Sequence, residues 1–274
     1  MRTLPFDRNK LEEIAKGCPT PFHIYDARAI RENARRLKKA FAWNKGFREY
    51  FAVKATPNPH IMKLLKDEFG FGSDCSSMPE LVLAEKIGNT GDRIMFTSND
   101  TPAEEFRKAW ELKAVVNLDD ITHWDSLYAA IPGFAAELAA APQEHVFCCR
   151  YNPGPLKGGN AIIGKPEEAK YGMTREQLFD CYARMKAAGA TRFGLHTMVA
   201  SNELDPDYIV DTAKLLFALA GDLHDKLGID FEFVNIGGGI GIPYRPGQKA
   251  MDLARVGKGI QDAYAELVEA RGLK

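Results

Sequence analysis

The chain has 274 residues, 45% of them hydrophobic and 27% charged, the balance of an ordinary globular protein long enough to bury a sizeable core. Its 36 basic and 37 acidic residues leave a formal net charge of -1, so neither a nucleic-acid nor a membrane-surface partner is expected. No apolar run approaches the roughly 18 residues of a membrane span, and residues 1–17 lack the apolar stretch of a secretory signal.

The five cysteines (Cys18, Cys75, Cys148, Cys149 and Cys181) lack metal-ligand spacing, and a reducing cytoplasm is the expected location. In chain order, "TPFHIYD" (20–26) reads as a strand and "DARAIRENARRLKKAF" (26–41) as an amphipathic helix capped by Asp26. Neither belongs to a βα unit. Residues 1–41 are therefore read as an N-terminal segment whose early strand needs a pairing partner from elsewhere.

From residue 42 a looser unit recurs: a short apolar run, a polar turn, then an amphipathic helix. Strands are expected at 48–55, 71–77, 94–99, 114–119, 145–151, 192–198 and 231–237. Helices are expected at 59–69, 79–88, 101–112 and 120–131, and, after a Gly-rich loop, at 174–189, 205–228 and 251–272. Thr174 with Gln177 forms a capping box, and Asp205 before Pro206 forms a cap with proline at the first helical position. Strands apolar on both faces, each followed by a helix, imply a parallel sheet covered by helices. Seven units in series predict an α/β fold, a (β/α)8 TIM-type barrel over residues 42–274, with the eighth strand missing from this stretch.

Lys54 stands at the C-terminal end of the first barrel strand, the end where barrel active sites lie. A solitary strand lysine is commonly a solvated edge residue. Here both faces of the strand are otherwise apolar, and a lysine desolvated in such a place becomes a nucleophilic amine suited to Schiff-base chemistry. "FGSDCSSMPEL" (71–81) places Asp74 at the end of strand two and Glu80 in the first turn of the next helix, where a carboxylate is also a plain helix-end device. Arg150 closes strand five, where it meets either a ligand carboxylate or a barrel ion pair. His196 and Ser201 follow on strand six and its loop, and a strand-end histidine is more often packed than catalytic.

"EFVNIGGGIGIPY" (232–244) fails as a dinucleotide fingerprint, because Gly237, Gly238 and Gly239 are consecutive and "IPYRPG" cannot start a helix. Bare amides after strand seven still suit a phosphate, and the alternative is a tight turn that allows close packing. A phosphate cradle with an imine-forming lysine points to pyridoxal phosphate.

"YFAVKATPNP", "DCSS" with Glu80, "CRYNPG", "AKYG", "FGLH" and "VNIGGGIGIPY" occur in the order seen in the pyridoxal phosphate-dependent decarboxylases of the alanine-racemase-like fold. Within that ornithine, arginine and diaminopimelate decarboxylase group, the chain most resembles a diaminopimelate decarboxylase, from about Thr20 onward. The resemblance implies that Lys54 is the lysine that carries the cofactor, that Gly237, Gly238 and Gly239 bind its phosphate with help from Ser201, and that Asp74 and Glu80 are acidic residues near it. Arg150 matches the family's strand-five arginine, and Lys170 a lysine near the active-site mouth. Aligned on Ser201, the family's ring-stacking histidine is Met198 and its glycine is Ala200, so His196 and Met198 both stand as candidates to cover the ring.

The family's eighth strand and C-terminal β-domain have no counterpart in residues 1–274, and the strand at 20–26 would join that β-domain. The resemblance implies an amino-acid substrate, a homodimer when intact, and conversion of meso-2,6-diaminopimelate to L-lysine and carbon dioxide, with this stretch alone inactive. The alternatives are another basic amino acid (ornithine, arginine or carboxynorspermidine) or a non-catalytic relative that binds cofactor or partners.

Overall fold

Seven short strands alternate with helices: β1 (Tyr50–Ala52), β2 (Gly72–Cys75), β3 (Ile94–Ser98), β4 (Val115–Leu118), β5 (Phe147–Tyr151), β6 (Phe193–Thr197) and β7 (Phe233–Asn235). The structure, a computed structural model, describes residues 5–273. Each strand pairs in parallel with the next, in the order β1 to β7, as the βα periodicity predicts. The helices are α1 (Arg8–Gly17), α2 (Ala27–Ala40), α3 (Pro59–Phe69), α4 (Met78–Lys86), α5 (Ala103–Glu111), α6 (Thr122–Ala130), α7 (Phe134–Ala140), α8 (Arg175–Ala187), α9 (Pro206–Leu227) and α10 (Leu253–Leu267).

Alternation along the strands divides the core into two layers. On β4, Val116 and Leu118 face outward with Phe96, Phe147 and Leu195, and pack under Leu81, Phe106, Leu127 and Tyr182 of the helices. Val115 faces inward with Met95, Val146 and Cys148, next to Tyr50 and Phe233. Each fully buried leucine or phenylalanine in these layers contributes roughly 1.5–3 kcal/mol. The inward layer from β1 to β7 lines one cavity of about 1570 Å³, so the sheet curls as an incomplete barrel.

Several local expectations change. Residues 20–26 form no strand: Pro19 and Pro21 have no N–H to donate, and no described residue pairs with the segment. The first barrel strand ends at Ala52, its last partner on β2 being Asp74, and Val53–Ala55 closes a single 3₁₀ turn by the bond from the Thr56 amide to the Val53 carbonyl (3.1 Å). Lys54 therefore lies in a turn rather than on a strand, and it is exposed rather than desolvated. Helices α1 and α7 lie outside the expected set. The first buries no residue and rests on its Asp7 cap and the Arg8–Glu12 pair; the second has only seven residues.

Helix α2 joins the outer layer. Ala34 packs with Ile61, Leu65 and Phe71, and Arg31 bridges to Glu68 at 2.6 Å. Among the described residues, no helix is long and apolar enough to cross a membrane.

Candidate active site

The C-terminal ends of the strands carry a polar band above the apolar inner layer. Asp74, Thr97, Arg150, His196 and Asn235, from five different strands, all line the cavity, and the register sets Arg150 beside His196 and His196 beside Asn235. Lys54 lines the same cavity from the turn after β1, together with Met198, Ser201, Gly237, Gly238 and Gly239 from the turns after β6 and β7. The structure thus brings together nine of the ten side chains and glycines expected at the site.

Glu80 is the exception. At the third position of α4 it turns back on the helix start, accepting from the Ser76 amide (2.9 Å) and the Ser77 hydroxyl (3.1 Å), and it is not on the cavity wall. This is the helix-end reading of a first-turn carboxylate. Lys170 is also away from the wall, exposed, with its ammonium 5.5 Å from the Tyr171 ring centre.

Burial sets the ionisation of the band. The carboxyl of Asp74 is pushed up to about 6, first by burial, against the lowering pull of the Thr97 hydroxyl and the Lys54 charge. His196, only 6% exposed, is pushed down to about 3, first by burial and then by the Arg150 charge. Its Nδ1 has no partner among the described residues. Arg150, 9% exposed, donates to Asp119 Oδ1 (2.8 Å) and to the Met198 carbonyl (3.1 Å), so of its two readings the barrel ion pair is the one formed.

The glycine loop is tied to its surroundings in a specific way. The Gly237 amide donates to Asn235 Oδ1 at 2.9 Å, and the Gly238 amide points to the Met198 sulfur at 3.2 Å. Gly237 and Gly239 have φ of 77° and 83°, and a Cβ there would fall 2.3 Å from the Thr197 carbonyl oxygen and 2.2 Å from that of Ala200. Gly238 has open space in front of it. The amides of Gly239 and Ile240 have no partner among the described residues. The close-packing reading of the loop is thus formed at Gly237 and Gly239, and the loop also leaves backbone donors without a partner among the described residues.

Sequence reasoning did not single out Thr97, Asn117, Asp119, Tyr171 or Asn235. Asn117 and Asn235 sit inside otherwise apolar strands, a signal for buried polar groups with a task. Asp119 ends the fourth strand run, the barrel end where functional side chains gather. Asn117 donates to the Thr97 hydroxyl (3.2 Å), which extends the band into β4.

Comparison with known proteins places the chain among its relatives. The chain is 38% identical over 264 residues to Protein TabA of Pseudomonas amygdali pv. tabaci, a match covering 96% of this chain and 57% of the relative. It is 30% identical over 264 residues to the diaminopimelate decarboxylase of Methanothermobacter thermautotrophicus, covering 95% of this chain and 59% of that protein. The crystal structure of diaminopimelate decarboxylase from Helicobacter pylori complexed with L-lysine superposes with a TM-score of 0.79 at 26% identity, over 94% of this chain and 63% of that one. The chain therefore spans less than two thirds of the length of these relatives. The family model described as pyridoxal-dependent decarboxylase, pyridoxal binding domain, matches residues 27–274, and the chain belongs to that family.

Proposed function

We propose that the protein carrying this chain is a pyridoxal phosphate-dependent amino-acid decarboxylase, and that its substrate is meso-2,6-diaminopimelate, giving L-lysine and carbon dioxide. The observation that carries the reading is the convergence of Lys54 and the glycine loop on one cavity from opposite ends of the sheet. The relatives named diaminopimelate decarboxylase support the choice of substrate.

The residues fit the cofactor. The exposed Lys54 amine would hold its aldehyde carbon, the free amides of Gly239 and Ile240 with the Ser201 hydroxyl would hold its phosphate, and His196 and Met198 would flank its ring. Bound there, pyridoxal phosphate supplies an electron sink for the pair left behind when a carboxylate departs as carbon dioxide.

Each nearby group has a task set by its surroundings. The exposed position of Lys54 on the cavity wall leaves its amine within reach of a substrate that enters the cavity. Asp74, with its carboxyl pushed up to about 6, holds a proton part of the time near neutrality and can pass it to or from an adjacent amine. His196 stays neutral, and so offers a ring face without adding a second cation beside Arg150. Below, Tyr50, Met95, Val115, Val146 and Phe233 form an apolar floor that limits water in the reacting layer.

The test is borohydride reduction of the protein after loading with pyridoxal phosphate, followed by peptide mass spectrometry. A single reduced pyridoxyl adduct on Lys54, lost in Lys54→Ala, is the expected result; label scattered over surface lysines would overturn the reading. Carbon dioxide release by the full-length protein then decides the substrate. Release from ornithine, arginine or carboxynorspermidine, but not from meso-2,6-diaminopimelate, would move the assignment to that amino acid.

A further inference from the structure

Asp119 is 3% exposed and ends β4 one residue beyond the sheet ladder. Its Oδ1 accepts from Arg150 Nη1 at 2.8 Å, and its Oδ2 lies 3.4 Å from the Gly172 amide. The Gly172 segment returns along the end of β5, where the Met173 amide donates to the Arg150 carbonyl and the Asn152 amide to the Met173 carbonyl, both at 2.8 Å. The Tyr171 ring, carried by the same segment, lies 4.8 Å from the Arg150 guanidinium carbon. Arg150 is thus gripped on two sides, and its Nη2 is left to hold the Met198 carbonyl at 3.1 Å. The Met198 sulfur in turn faces the Gly238 amide at 3.2 Å.

We propose that Asp119 is a positioning residue for the cofactor site, acting through the Arg150 guanidinium and the Met198 backbone to set the place of the glycine loop. The inference rests on the cofactor reading above. Physically, a guanidinium confined by a buried carboxylate has little rotamer freedom, so its second arm becomes a fixed donor. That donor pins the backbone carbonyl of Met198, and with it the thioether that meets the loop at Gly238. Without Asp119 the guanidinium is buried and uncompensated, and it reorients toward the open cavity. The strut explains why an arginine on the cavity wall need not touch ligand to matter for binding.

The experiment measures pyridoxal phosphate affinity of the full-length protein, with borohydride trapping at Lys54 and the unfolding midpoint of the cofactor-free form as companion readouts. Asp119→Asn is expected to weaken cofactor binding about tenfold and Met198→Leu about threefold, with the double variant weakened by clearly less than the product, since both act on one path. Asp119→Glu, which keeps the charge, is expected to recover most of the affinity. A residue that serves stability alone would lower the unfolding midpoint and leave the affinity and the double-variant coupling unmoved.

Should Asp119→Asn fail to fold, the same cycle run with Arg150→Lys against Met198→Leu tests the strut at its other end. If the wild-type protein traps the adduct on Lys54 but Asp119→Asn binds cofactor normally, or the two effects multiply, the strut is wrong and the cofactor reading stands. If the wild-type protein takes up no cofactor, both fall.

Discussion

Asp74 and His196 face the same cavity and respond to pH in opposite senses. Asp74 is raised from 3.8 to about 6 chiefly by burial, so the folded state holds its proton more tightly than the unfolded chain does. The stability from this carboxyl is complete below about 3.8 and is lost as pH rises through about 6. His196 is lowered from 6.5 to about 3, chiefly by burial, so its contribution is present above about 6.5 and is lost as pH falls toward about 3. Glu49, pushed up to about 7 by burial and by the Asp74 charge, acts in the same sense as Asp74, and Lys54, Arg150 and Glu80 also act on Asp74. The clean readout is therefore the difference between variant and wild type. Asp74→Asn should gain on wild type by about 1–2 kcal/mol between pH 4 and pH 7, a value reduced from the full shift because the carboxyl faces an open cavity. His196→Gln should lose less stability than wild type on acidification from pH 7 to pH 4. Urea midpoints at pH 4, 5.5 and 7 check both, and parallel curves for wild type and variant would contradict either claim.

At the scale of elements, regular periodicity was readable and non-local contact was not. The helix expected at 59–69 is α3 residue for residue, with Asn58 as its cap and Gly70 as its left-handed stop, and the Thr174–Gln177 capping box is formed in both directions. Lys54 and the three glycines, which share one cavity wall, could be singled out as candidates because a lone amine and a bare glycine run stand out against apolar strands. Asp119 was not, because its meaning comes from Arg150, 31 residues away, and from the returning segment at Gly172. Glu80 carried two readings, and its local bonds to Ser76 and Ser77 form the helix-end one, while its charge still acts on Asp74. The strand at 20–26 shows that propensity without a partner does not make a strand. The glycine loop turns the same logic into a prediction. Gly239→Ala places a Cβ against the Ala200 carbonyl at positive φ and should cost about 2–4 kcal/mol of folding stability. Gly238→Ala meets open space and should leave the denaturation midpoint within about 0.5 kcal/mol of wild type. Equal losses at the two positions would mean that the packing of the loop against β6 is not what holds it.

For the molecule as a whole, the sheet order has a consequence that can be measured on the 274-residue chain by itself. Only β2 neighbours β1, and only β6 neighbours β7, so among the described residues each end strand has one unpaired edge. The trough between them is lined by Phe51, Val234, Ile236, Phe217 and Ile260, with helices α2, α9 and α10 forming its outer bank. An apolar surface of that kind beside free backbone donors and acceptors is a template for pairing with another chain. The 274-residue chain should therefore bind an apolar dye such as ANS while keeping the far-UV circular dichroism of the helices described above, and should elute from a sizing column above monomer size at micromolar concentration. Salt should not disperse the larger species, because the contact is apolar and main-chain rather than charge-driven, whereas low urea should. A dye-dark monomer would mean that β1 and β7 close on one another in solution. In that case the cavity would narrow from the side that now opens it, and Lys54 on its wall would lose solvent access.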